Sequence, residues 1–417
     1  MLKVRKSSRN VSPYSGISFV VNEIEKASIP HLIDSAFPKR HGKSKYGYAD
    51  AILSLVYGTM CGANRLDDYA KIKDKVTNSG INIPSPTTLG RIMREKLSVP
   101  NVKVGDHEVN INEALNNLMV DMAIHLNQIE QGKKYVLDFD NVTLPCEKED
   151  STFCYKGFRG YQPGVCFIGE IPVFIEGMNG NNQAAFDQHN TLKRTLDLLE
   201  SKEVGIRRFR ADAASYQYEV VKLMNERGIE FFIRAKSSKS LMEPVTNITK
   251  WEPVRLGLDH IEVASFEFTP FVGRNETSYR IVVQRRPVDR PHHITGENFI
   301  YRSIITTNRA MSEIDVIWTY NQRGAIELNF AVLNNDWNWN KLPFSYLSEN
   351  TAYMLITALG LIMYKYIVET FAERVDWVEE TDRLKRFRYN VITVAGEWKK
   401  DTLVLYDTSR EWEKLAG

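Results

Sequence analysis

The sequence predicts an α/β fold, a mixed sheet flanked by helices, interrupted by a β-rich insertion and preceded by a helical N-terminal region. Three observations carry this. Strands with period-two alternation begin at Tyr135. Between Arg207 and Arg234 a strand, an amphipathic segment and a second strand follow one another, the pattern of a β-α-β crossover. From about 237 to 308 the pattern is strands and turns without a helix. Four segments result: 1–130, 131–236, 237–308 and 309–417.

In the first segment, Leu66 to Val76 reads as one helix. Ser85-Pro86 opens another, with serine as N-cap and proline at the first helical position. This second helix exposes Thr87, Thr88, Arg91 and Arg94. Two short helices with a turn-rich connection and a basic surface fit a helix-turn-helix that contacts DNA. An ordinary helical subdomain with solvated arginines fits the same residues. Leu115, Leu118, Met122, Leu126 and Ile129 make a helical stripe that belongs to a core. The basic start from Lys3 through Arg5 and Lys6 to Arg9 is either a phosphate-contacting arm or a tail.

In the second segment, Tyr135, Leu137 and Phe139 share one strand face, and Val136, Asp138 and Asp140 share the other. Val165 to Ile168 and Ile171 to Ile175 read as two further strands joined by a Gly-Glu turn, completing a three-strand meander. Thr191 to Ser201 reads as a helix through Leu192, Leu196 and Leu199. The next strand ends at Asp212, Val220 to Met224 is amphipathic, and Ile229 to Arg234 is apolar. A carboxylate at the C-terminal end of a strand that opens a crossover is a usual site position in an open α/β sheet. It is also a common helix N-cap.

The insertion supplies strands at His260–Phe268, Tyr279–Gln284 and Phe299–Ile305. Beyond it, Tyr320, Arg323 and Glu327 stand at i, i+3 and i+7, one face of a helix. On that face Arg323 and Glu327 can form an ordinary i, i+4 ion pair. The apolar stretch Ala352 to Tyr364 is too short to span a bilayer and predicts a buried helix within Tyr346 to Phe371. Strands are expected through Val391–Val394 and Leu403–Tyr406.

The motif from Tyr320 to Glu327, with a strand acid at Asp138 or Asp140 and a strand-helix acid at Asp212, resembles the signature of DDE transposases of bacterial insertion sequences. Their RNase H-like catalytic domain is split by a β-rich insertion between the second and third acids. The resemblance implies an RNase H-like mixed sheet with Asp140, Asp212 and Glu327 as the catalytic, metal-holding carboxylates. Asp140, followed by Asn141-Val142-Thr143, fits the first position better than Asp138. It implies two Mg²⁺ or Mn²⁺ ions, consistent with hard oxygen ligands and with no His or Cys cluster. Arg323 is implied to reach a phosphate oxygen and Tyr320 the DNA backbone, while Arg91 and Arg94 contact the terminal inverted repeat. Phe299 and Tyr301 are the nearest aromatics for stacking in the insertion.

The implied partners are double-stranded DNA, as inverted repeat and target, and a second copy of the chain in a synaptic complex, with no membrane. The implied reaction is cleavage and strand transfer. One departure stands out. Relatives with the longer signature carry a lysine seven residues after the glutamate, where this chain has Asn334; Lys341 is the nearest substitute.

Composition bounds the reading. The 417 residues, 43% of them hydrophobic, can bury a large core, and a formal charge of +2 means that any basic surface is local. Cys61, Cys146, Cys154 and Cys166 have no CxxC spacing, which argues against zinc and against a disulfide framework. No signal peptide is evident, and a bacterial cytoplasm is expected. Two rival enzymes share parts of the pattern. A nuclease would use the same acids without strand transfer. A metal-dependent glycosyltransferase would use Asp138-Phe-Asp140 but leave Asp212 and the Tyr320 motif without a role.

Overall fold

The computed structural model describes residues 3–5, 9–76, 81–257, 259–274, 276–288 and 298–417; Lys6 of the basic start lies outside them. In chain order the strands are β1 (Val102–Val104), β2 (His107–Asn110), β3 (Lys134–Asn141), β4 (Leu144–Pro145), β5 (Thr152–Phe153), β6 (Arg159–Tyr161), β7 (Gly164–Ile168), β8 (Ile171–Met178), β9 (Gly205–Ala211) and β10 (Glu230–Arg234). The insertion adds β11 (Glu252–Leu256), β12 (Asp259–Phe268), β13 (Tyr279–Pro287) and β14 (Phe299–Thr306). One eleven-stranded sheet runs β1-β2-β8-β7-β3-β9-β10-β14-β13-β12-β11, and β4, β6 and β5 form a small separate sheet. The predicted meander is β3-β7-β8, antiparallel throughout, and β9 and β10 run parallel to β3.

The helices are α1 (Ile17–Lys26), α2 (Ile29–Ser35), α3 (Tyr48–Met60), α4 (Asp68–Val76), α5 (Pro86–Ile92), α6 (Glu113–His125), α7 (Gln188–Ser201), α8 (Tyr218–Glu226), α9 (Lys239–Thr246), α10 (Glu313–Asn321), α11 (Ala325–Asp336) and α12 (Leu347–Arg374). The predicted cap is present at α5, where the Ser85 hydroxyl accepts from the Thr88 amide.

Two expectations about the segments are corrected. The first 130 residues are not purely helical, because β1 and β2 lie among them and β2 pairs with β8, extending the main sheet. Their apolar side chains join the same core as those of the sheet. The segment 237–308 is not free of helix: Ser238 caps α9 by accepting from the Leu241 amide, and Leu241 and Val245, four apart, bury one face. Pro244 within this short helix hides it from periodicity. In the tail, Val391 and Ile392 belong to a helical turn, and the two strands fall at Gly396–Lys399 and Thr402–Leu405.

Helix α12 is longer than its apolar stretch suggested. At 28 residues it is long and apolar enough to cross a membrane by length and composition alone, but 89% of its apolar window is buried inside the protein. A helix apolar on all sides has to be enclosed, and α6, α3 and β8 enclose it. Its fit against the loop after α11 is close. A Cβ at Gly360 would lie 2.3 Å from Cζ3 of Trp337, whose ring is fully buried. Gly360→Ala should therefore cost about 1–3 kcal/mol through overpacking. This would be read as a lower urea midpoint at unchanged slope; a midpoint equal to the wild type would refute the tight contact.

Candidate active site

Parallel pairing of β3 with β9 sets Phe139 beside Ala211, so the next residue on each strand, Asp140 and Asp212, comes at adjacent strand ends. Asp212 terminates its strand as predicted and caps a short 3₁₀ turn, Ala213–Ser215, by accepting from the Ala214 amide at 2.9 Å with one of its oxygens. Asp140 accepts from the Asn141 amide at 2.9 Å and, through Oδ2, from Arg323 Nη2 at 2.6 Å. Burial pushes the Asp140 carboxyl up to about 6, and the charge of Asp212 pushes the same way, against the pull of the Arg323 guanidinium. Asp140, whose ionisation is opposed by burial and by the charge of Asp212 and which carries a guanidinium, sits in an electrostatic setting that a further positive charge relieves.

Asp138 has a different task. Its register partner on β9 is Arg210, and the two form a buried bidentate pair, Nε to Oδ1 at 2.7 Å and Nη2 to Oδ2 at 2.6 Å, with Asp138 4% and Arg210 7% exposed. Both oxygens of Asp138 are thus held by one buried guanidinium, whereas the Asp140 side chain keeps 24% of its surface exposed. Arg210 also donates from Nη1 to the Thr319 carbonyl at 3.0 Å and to Oε1 of Gln322 at 3.1 Å. It ties the two acid-bearing strands to the end of α10.

At that point the expected helix is interrupted. Helix α10 stops at Asn321, Gln322–Gly324 is a 3₁₀ turn, and α11 starts at Ala325. The tighter winding of three residues per turn brings Tyr320 and Arg323, three apart across it, onto nearly the same side. Arg323 turns to Asp140. Tyr320 is half-buried and lies within electrostatic reach of Arg323, Arg234, Asp212 and Asp140; burial raises its hydroxyl pKa. Glu327 is exposed in the first turn of α11. Among the described residues no three His, Cys, Asp or Glu side chains form a metal-holding group. The structure brings Asp140, Asp212, Arg323 and Tyr320 together, and does not gather Glu327 into a three-carboxylate cluster with them.

The remaining sequence candidates divide. Arg94 donates to the buried carboxylate of Glu349 at 2.8 Å, so it holds α12. Arg91 is exposed and lines a cleft with Thr88. Phe299 and Trp251 sandwich the Arg285 guanidinium at 4.2 and 4.1 Å from the ring centroids, and Tyr301 packs beside both rings. Lys341 donates to Asn64. Sequence reasoning missed Arg210, Gln322 and Arg234, the last of which ends β10 one residue past the Ile233–Ala211 pair and so stands level with Asp212. A signal for Arg210 was available: opposite charges at matching places on two adjacent strands pair across them.

A model of the transposase DDE domain, group 1, matches residues 2–402, a stretch that contains every residue of the site. The chain belongs to that family. Two solved transposase structures align with it at low identity. For the piggyBac transposase, in the cryo-EM structure of its synaptic complex with hairpin DNA, the TM-score is 0.45 at 11% identity, over 91% of this chain and 79% of that one. For the Drosophila P element transposase, in its strand transfer complex, the TM-score is 0.25 at 19% identity, over 51% and 42% of the two chains. No curated protein matches the transposase significantly. Membership rests on the sequence match.

Proposed function

We propose that this transposase binds the terminal inverted repeats of a bacterial insertion sequence and carries out metal-dependent cleavage and strand transfer, as a homodimer in a synaptic complex. The observation that carries the reading is the pair Asp140 and Asp212 at adjacent ends of parallel strands, with Arg323 against Asp140. The run β8-β7-β3-β9-β10, a meander followed by two strands parallel to its first, supports an RNase H-like core.

The donor set fits divalent ions of the Mg²⁺ or Mn²⁺ type. Asp140 and Asp212 supply hard oxygens whose mutual repulsion a cation relieves, and the Arg323 guanidinium stands in for that cation. Asp140, Asp212 and Glu327 are the proposed ligands. When bound, such ions polarise the scissile phosphate and stabilise the attacking and leaving oxygens. Arg323 then serves the DNA: its Nε is buried without a partner, a donor suited to a phosphate oxygen beside the cut. Tyr320, next to it, contacts the backbone, and Arg91 contacts the DNA farther away. Arg210 keeps the turn that carries Arg323 against the sheet.

The test uses purified transposase, a DNA carrying the inverted repeats that flank its reading frame, and a target plasmid with Mg²⁺. Joined products are expected. Cutting without joining would favour a plain nuclease, and neither cutting nor joining would sink the proposal. A narrower check concerns the fork of Arg323. Arg323→Lys keeps the charge but loses the planar donor set. Losing one or two charge-assisted hydrogen bonds, about 1.5–3 kcal/mol each, should slow single-turnover cleavage about 10- to 100-fold or more. A lysine variant that cuts at the wild-type rate would remove Arg323 from the phosphate site.

A further inference from the structure

We infer that a cleft between the loop before α3 and the helix α5 is a clamp for the phosphodiester backbone of duplex DNA, separate from the cleavage site and indifferent to base sequence. The inference rests on the proposed function for the identity of its ligand. The cleft, about 450 Å³, is lined by Arg40, His41, Lys43, Lys45 and Arg91, together with Ser44, Tyr46 and Thr88, and no carboxylate lines it. The acids that flank the loop are engaged elsewhere: Asp34 accepts from the Tyr48 and Ala49 amides and Asp50 from the Gly47 amide, all at the start of α3. They hold the loop in place and leave its cations unneutralised.

The contacts of these cations leave room for an anion. Arg40 lies over the Tyr48 ring at 5.6 Å and Lys45 over the Tyr46 ring at 5.4 Å. Among the described residues, none of Arg40, Lys43, Lys45 and Arg91 is paired with a carboxylate. Nη1 of Arg40 is buried and makes no hydrogen bond. A buried guanidinium donor without an acceptor costs free energy unless a ligand supplies one. A phosphate oxygen does so, and the Ser44 and Thr88 hydroxyls add neutral donors of the kind that accompany phosphate contacts.

The same geometry argues against base reading at this place. The loop from Arg40 to Tyr46 shares one concavity with Thr88 and Arg91, so α5 does not stand clear of the protein as a helix entering a major groove does.

The test is fluorescence anisotropy of the full chain with labelled duplex DNA of unrelated sequences across a salt series. Each phosphate contact contributes about −0.9 to the slope of log K against log salt. The quadruple variant Arg40→Gln, Lys43→Gln, Lys45→Gln, Arg91→Gln should flatten that slope by about 3 to 4 and weaken binding at low salt by about 100-fold or more, equally for all sequences. Because Arg40 packs on Tyr48, a triple variant that keeps Arg40 serves if the quadruple one misfolds; its slope should flatten by about 2 to 3. A slope within about one unit of the wild type would overturn the clamp. So would a loss confined to one DNA sequence, or a preference for an RNA duplex over DNA. If the wild type binds DNA through this cleft but never cuts it, the clamp stands and the transposition reading falls. If the wild type binds no DNA, both fall.

Discussion

Asp140→Asn and Asp212→Asn are each expected to abolish Mg²⁺-dependent cleavage of transposon-end DNA, with a loss of about 10³-fold or more, while DNA binding stays within a few-fold of the wild type. The size follows from what the carboxylates are proposed to do. Metal ions at a phosphoryl centre supply several kcal/mol of charge stabilisation, and about 4 kcal/mol already corresponds to about 10³-fold in rate. An amide cannot replace the carboxylate, because it brings no negative charge to the ion. Asp140→Asn keeps the size of the side chain and an oxygen that can still accept from Arg323, and a urea melt of each variant checks that the fold is retained. Glu327→Gln belongs in the same experiment as a separate arm, because Glu327 stands exposed on α11. Single-turnover cleavage with gel-shift controls reads all three. Wild-type cutting by any one variant would remove that residue from the ligand set without touching the others.

The second large effect is on stability. Arg210→Met is expected to destabilise the protein by about 3–5 kcal/mol, because it leaves the Asp138 carboxylate buried without its counter-charge. The same substitution frees the Thr319 carbonyl and Gln322 from their donor, so the turn bearing Arg323 loses its tie to the sheet. The double variant Asp138→Leu with Arg210→Met removes both charges at once. Replacing a buried pair with apolar groups is often close to neutral, so the double variant should regain most of the lost stability. A thermodynamic cycle from urea melts measures this directly. Single substitutions that cost under about 1 kcal/mol would mean that water reaches the pair and that it is not buried as described. Cleavage by the double variant adds a second reading. If stability returns and activity does not, the pair matters to the reaction, either through the turn that Arg210 holds or through Asp138 itself.

Much of the sheet was legible because its signals are local. Alternation from Tyr135 to Phe139, the Gly169-Glu170 turn and the strand ending at Asp212 each depend on near neighbours in the chain. They appear in the structure as β3, the β7–β8 turn and β9. Strand periodicity does not separate Asp138 from Asp140, since both lie on one face; their different partners come from the register that brings Arg210 beside Asp138. The 3₁₀ turn at Gln322–Gly324 was not legible between Tyr320 and Glu327, because it is held by Arg210 from a distant strand. In the N-terminal region, α5 was found through its Ser85 cap, whereas the run from Lys39 to Lys45 went unread. Its basic density was visible in the sequence, but its concavity with Arg91 arises only in the folded chain.

The pairing of β10 with β14 bears on how the gene can be divided. The insertion looks detachable on a linear map, lying between Asp212 and Glu327. In the protein, β14 takes the backbone donors and acceptors along one flank of β10 at Phe232, Ile233 and Arg234. A catalytic half trimmed of 237–308 would present Phe231, Phe232 and Ile233 on an open strand, a template for self-association. The insertion therefore also serves as a selvedge, the finished border that keeps the sheet from adding strands of its neighbours.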